Sequence, residues 1–115
     1  MKSEDVNRKI AELCGWTQVD DNRAPMLGVP ILRGYPPKGA LVGRKQPIPD
    51  YWSSLDACRE FERRLDGDYR SLYIDMIYLL VSKSIDNFER QWAVFNATPA
   101  HRCEAFLRMH KQWDV

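Results

Sequence analysis

The chain has 115 residues, 44% of them hydrophobic, with 17 Lys and Arg against 16 Asp and Glu. That length is expected to form one domain, 1–115, burying about two-thirds of its unfolded surface, and 13 aromatic side chains favour a packed domain over a disordered segment. The charge balance leaves no net field to draw nucleic acid or an anionic membrane, and no apolar run approaches the roughly eighteen residues that cross a bilayer.

The N-terminal residues Met1, Lys2, Ser3, Glu4 and Asp5 are too polar and acidic for a signal peptide, so a cytoplasmic location is expected. A helix is predicted over 3–14, because Val6, Ile10, Leu13 and Cys14 recur on one face. Ser3 is its expected cap, with Glu4 and Asp5 at the positive end of the dipole. Gly15 supplies a positive-φ stop, and Trp16 follows as a bulky residue needing a core or a groove. Prolines and glycines then make 17–52 a loop and hairpin region inserted between helices. Within it, 29–32 and 40–42 are expected to pair as an antiparallel hairpin around Pro37, Lys38 and Gly39, with Pro30 confining its strand to an edge.

A second helix is predicted over 53–65, capped by Ser53 or Ser54, with Asp56 in its first turn. Leu55, Cys58, Phe61 and Leu65 form its apolar stripe, and Arg59, Glu60, Glu62, Arg63 and Arg64 read as a solvated face with a Glu60–Arg64 pair. Residues 69–83 are apolar enough for a buried strand, but periodicity favours a helix, with Leu72, Tyr73, Met76, Ile77 and Leu80 opposite Ser71 and Asp75. The stretch 91–95 is open between a short strand and a helix. Thr98 followed by Pro99 marks a sharp start for a last helix over 98–110, with Trp113 as an aromatic anchor beyond it. The expected fold class is therefore α+β, helix-rich, with four helices and a small antiparallel hairpin or sheet from 28–43, joined by 91–95 if that stretch is a strand.

Chemistry-bearing groups are few. Cys14, Cys58 and Cys103 lie far apart on predicted apolar faces, so buried free thiols are expected and no metal site. A Cys103 and His110 or His101 pair is the sharpest enzyme reading. Two helical turns put roughly 10 Å between the first two residues, and positions two apart point away from each other, so no catalytic site is expected. Neither a phosphate loop nor a nucleophile elbow is present, and no cofactor is expected. Arg33, Tyr35, Lys38, Arg44 and Lys45 gather around the predicted hairpin, a basic and aromatic cluster for which an ordinary solvated hairpin is preferred over nucleic-acid binding. Asp50, Tyr51 and Trp52 precede a helix, where aromatics either pack or present a contact surface. A groove formed by these three with Trp16 is the first candidate for a partner site.

Two blocks carry a family resemblance. Pro49, Asp50, Tyr51, Ser53, Ser54, Leu55, Asp56 and Ala57 form one; Ala97, Thr98, Pro99, Ala100, His101, Arg102, Cys103, Glu104, Ala105, Phe106, Leu107 and Arg108 form the other. With the late Trp113 and a first helix closing on Gly15 and Trp16, the chain resembles small bacteriophage and prophage proteins of the phage ABA sandwich type. The resemblance implies a small sheet flanked by helices, and it brings no catalytic residues. It implies an accessory protein that binds a host or phage macromolecule, including as an inhibitor of a host defence system. The alternative is a module that sequesters a small ligand such as a nucleotide, using basic residues near the hairpin. A protein partner is expected, and self-association is compatible with either reading.

Overall fold

The structure, a computed structural model, describes residues 1–23, 30–37, 45–81 and 90–113. Helix α1 (Ser3–Leu13) buries Val6, Ile10 and Ala11. Its N-cap is Lys2, whose carbonyl accepts the Val6 N–H at 3.1 Å; Ser3 is already helical and makes no capping bond. The other end follows expectation closely. Gly15, at φ 98°, donates its N–H to Glu12 O, and Trp16 donates to Ala11 O. This is the paired closure of a Schellman motif, and it turns Trp16 back against the core.

Three strands follow in the order β1-β2-β3: β1 (Thr17–Arg23), β2 (Pro30–Tyr35) and β3 (Gln46–Pro47), all antiparallel. The expected hairpin is corrected here. The strand containing residues 30–32 pairs backwards with β1, Asp20 opposite Arg33 and Asp21 opposite Leu32, and its other edge is taken by β3 and by the Ile48 N–H to Leu32 O bond. β2 is thus the middle strand, and Pro30 is tolerated because it is the strand's first residue, not because the strand is an edge. The predicted partner 40–42, the turn at Lys38 and Gly39, and Val29 lie outside the described residues. A register shift between Thr17 and Asp20, with Gln18 at φ 50°, brings Val19 across Gly34. A Cβ at residue 34 would sit 3.0 Å from Val19 Cγ2 and 3.1 Å from Thr17 O, so a side chain there would have to displace Val19 or the Thr17 backbone by a few tenths of an ångström.

Helix α2 (Leu55–Glu62) starts where the serine signal placed it: Ser54 Oγ accepts the Ala57 N–H at 3.2 Å. It is shorter than 53–65, because residues 63 and 64 form a turn, and Leu55 at its first position is 50% exposed instead of joining the stripe. Helix α3 (Gly67–Val81) confirms the helical reading of the apolar run. Its first bond runs from Arg70 N–H to Asp66 O, two residues earlier than predicted, and its expected end near 83 lies outside the described residues. Residues 90–96 form helix α4 (Arg90–Asn96), so 91–95 adds no strand; the segment packs against α3, and that tertiary contact decides a stretch with no clean alternation. Helix α5 (Pro99–Met109) has Thr98 as its cap, with reciprocal bonds to His101: Thr98 Oγ1 accepts the His101 N–H, and His101 Nδ1 accepts the Thr98 N–H.

The molecule is a small α+β domain in which helices carry the core. α5 packs on α1, α2 and α3, and Phe61 lies at the centre, with ring centroids 4.4 Å from Phe106, 6.0 Å from Tyr51 and 6.1 Å from Tyr73. The sheet lies alongside, contacting α1 through β1.

Candidate functional site

The predicted groove residues separate into interior and surface. Tyr51 is fully buried and Trp16 is 8% exposed, and the two do meet, through Glu60. Trp16 Nε1 donates to Glu60 Oε1 at 3.0 Å, and the Tyr51 hydroxyl donates to Oε2 at 2.9 Å. They form a polar junction inside the core, not an open groove. Burial foremost, then the nearby Cys14 and Glu60, pushes the Tyr51 hydroxyl pKa well above its ordinary value, and burial with Glu60 raises the Cys14 thiol to about 12. Asp50 and Trp52 stay at the surface but are fastened. Asn7 Nδ2 donates to Asp50 Oδ1, and the Trp52 N–H donates to Asn7 Oδ1, both at 3.0 Å. The half-buried Trp52 ring stacks on Trp113 at 6.3 Å, and the Arg108 guanidinium lies 5.8 Å from the Trp113 ring.

The basic cluster is partly neutralised. Lys45 pairs with Asp20 across the sheet and lies 5.8 Å from the centre of the Tyr35 ring. Arg33 is half-buried, and its Nε has no hydrogen-bond partner among the described residues. Lys38 and Arg44 lie outside the described residues.

Glu60 and Glu62, expected on a solvated face, both turn inward. Glu62 Oε2 accepts from the Tyr73 hydroxyl at 2.6 Å and from Arg102 Nη1 at 2.8 Å. Arg102 continues to Val94 O and Ala97 O, joining α2, α4 and α5. The expected Glu60–Arg64 ion pair does not form; the Glu60 oxygens turn to Trp16 and Tyr51, and Arg64 Nη1 lies toward Gly15.

All three thiols are buried and free. Cys58 Sγ donates to Tyr51 O at 3.2 Å, and a hydrogen bond with Cys58, then burial, holds the Cys103 thiol protonated far above the usual range. His101 is committed to the helix cap, while His110 packs edge-on to Phe106 at 4.6 Å and stacks on Tyr69 at 6.4 Å. Among the described residues no group of three or more His, Cys, Asp or Glu is placed to hold a metal ion.

The surface that stands out was not singled out by sequence. On α3, Tyr69, Leu72 and Leu79 are 55, 54 and 58% exposed; on α4, Trp92 and Phe95 are 54 and 78% exposed. Leu72 was expected in the core with Tyr73 and Ile77, but only the latter two are buried. The signal was present: apolar residues occupy more of the α3 circumference than one packed face can cover. Beside Tyr69, the end of α1, the α2–α3 turn and the end of α5 enclose a half-open cleft of about 250 Å³. Leu13, Leu65 and Phe106 supply apolar lining, with Arg64, Asp66 and His110 as its polar members. Burial pushes the His110 pKa below its ordinary value, favouring the neutral ring.

Comparison of the chain with protein-family models, with curated proteins and with solved structures finds no match in any of the three. Among the described residues no helix is long and apolar enough to cross a membrane.

Proposed function

We propose that this protein acts by binding a macromolecule, as an accessory protein of phage or prophage type, and that it catalyses no reaction of its own. The observation that carries the binding reading is the set of large apolar side chains left more than half exposed on the packed helices α3 and α4: Leu72, Leu79, Trp92 and Phe95. Exposed apolar surface concentrated on neighbouring elements marks interaction sites. The phage setting is supported by the two sequence blocks described above, and inhibition of a host defence system is the role that setting implies. The non-catalytic reading is supported by the buried, protonated state of Cys14 and Cys103 and by the structural bonds of His101.

Affinity-tagged protein produced in a bacterial host should retain a discrete macromolecular partner through a salt wash. The combined variant Leu72→Glu, Leu79→Glu, Phe95→Glu should fold, by circular dichroism, and release that partner. A partner retained equally by this variant, or a nucleotide set free on denaturation in place of a protein, would refute the reading.

A further inference from the structure

The cleft and the α3 ridge share a residue, and that continuity defines a partner more closely. Tyr69 lines the cleft and opens the ridge; Leu72 lies one turn further along and Leu79 two turns beyond it. These steps of three and seven residues span about 15 Å of helix axis. We infer that an amphipathic helix of a partner protein lies along this ridge and inserts one large apolar side chain into the cleft. The inference rests on the reading of the protein as a macromolecule binder.

Size decides between occupants. Sites for drug-sized ligands run from about 300 to 1,000 Å³, and a half-open cleft of about 250 Å³ is better filled by a single anchor side chain. Its lining suits one: Leu65 and Phe106 are nearly fully buried, and Leu13 is 37% exposed. Helix-in-groove recognition uses such an anchor, repeated at one-turn spacing along the neighbouring ridge.

Charge sets the anchor's neighbour. The Arg64 side chain is exposed and makes no hydrogen bond or ion pair among the described residues; its Nη1 lies by Gly15, 3.9 Å from where a Cβ would stand. Asp66 lines the cleft as well, as its acidic member. The matching helix carries a carboxylate within one turn of its anchor, on the side that meets Arg64.

A random-peptide display library panned against the full chain tests this. Enriched peptides should carry large apolar residues at i, i+3 or i+4, and i+7, with Asp or Glu within a turn of the first. Their affinity, read by fluorescence anisotropy, should fall about tenfold or more for Leu72→Glu and for Arg64→Glu. A peptide with its acid changed to Lys should regain binding to Arg64→Glu. The inference is overturned if no peptide is enriched, if enriched peptides lack the pattern, or if both variants bind normally. A dimer seen by light scattering and lost in Leu72→Glu would assign the ridge to a second copy and overturn it as well. If the copurified partner survives Leu72→Glu and Arg64→Glu but is lost in Phe95→Glu, the cleft assignment fails while the binding reading stands.

Discussion

Replacing Glu60 by alanine removes the acceptor for two donors that the core has taken from water. Tyr51 is fully buried and Trp16 nearly so, and each donates to a different carboxylate oxygen at 2.9 and 3.0 Å. Hydrogen bonds to charged groups contribute about 1.5–3 kcal/mol each, and an orphaned buried donor costs about 1–3 kcal/mol. Glu60 is itself half-buried, so the low end applies, and Glu60→Ala should cost about 3 kcal/mol, a large share of the roughly 5–15 kcal/mol that holds a domain together. Urea unfolding followed by tryptophan fluorescence measures it, since Trp16 reports on the junction directly. The sharper test is a double-mutant cycle. Tyr51→Phe alone should destabilise, but in the Glu60→Ala background it removes the orphaned hydroxyl, whose remaining neighbour, the Cys14 sulfur, is a weak acceptor. Glu60→Ala with Tyr51→Phe should therefore be about 1 kcal/mol more stable than Glu60→Ala alone. Strictly additive losses would refute a shared junction.

Two further perturbations test local features. Lys111 lies just past α5 at φ 57°, where its N–H to Arg108 O and the Gln112 N–H to Leu107 O close a second Schellman motif. A left-handed conformation costs an L-residue about 1–2 kcal/mol, so Lys111→Gly should stabilise by about 1 kcal/mol and raise Tm by several degrees; an unchanged or lower Tm would count against the assigned geometry. The second concerns alkaline pH. The Cys14 thiol pKa is raised from 9.0 to about 12 by burial, so between those values the unfolded chain releases a proton that the folded chain keeps. That contribution to stability is fully present below pH 9 and is lost as pH rises toward 12, and the raised hydroxyls of Tyr51 and Tyr73 act in the same direction above pH 10. Denaturant midpoints should fall between pH 8.5 and 10.5 and native Cys14 should resist alkylation at pH 8, whereas a rising midpoint or rapid labelling would contradict the buried placement.

What the sequence makes legible follows from how local the physics is. The stop at Gly15, the Ser54 cap and the Thr98–Pro99 start each depend on a few consecutive residues, and each is found in place. The helical reading of α3 holds, although apolar residues cover more than one face of the segment and Leu72 of the expected stripe is exposed. Strand pairing is not local. β1 reads Thr17, Gln18, Val19, Asp20, Asp21, Asn22, Arg23, a polar run with one large apolar residue, so nothing in it announces a strand, and β2 takes it as a partner through a register shift that packs Val19 closely on Gly34. The charges of α2 mislead similarly. Periodicity places Glu60 and Glu62 off the apolar stripe, but Trp16, Tyr51, Tyr73 and Arg102 come from other elements and decide that these carboxylates face inward. For the candidate site the same limit applies: the aromatics before α2 are visible as unusual, but packing places Tyr51 in the core and fastens Trp52 to Asn7 and Trp113.

The leucines of α3 are the place where folding and function come apart. Burying a leucine contributes about 1.5–3 kcal/mol, which Leu72 and Leu79 largely forgo while Tyr73 and Ile77 on the same helix take it. Polar residues at 72 and 79 would leave the packed face of α3 intact and remove an aggregation hazard. Isolated exposed leucines are ordinary on any surface, and one alone would mean nothing. Here the exposed side chains run along one side of a helix from Leu79 through Leu72 to Tyr69 and end at a cleft lined by Arg64, which makes no hydrogen bond or ion pair among the described residues. Packing among the described residues gives no reason for that alignment, and the helical partner inferred above would give one for each residue.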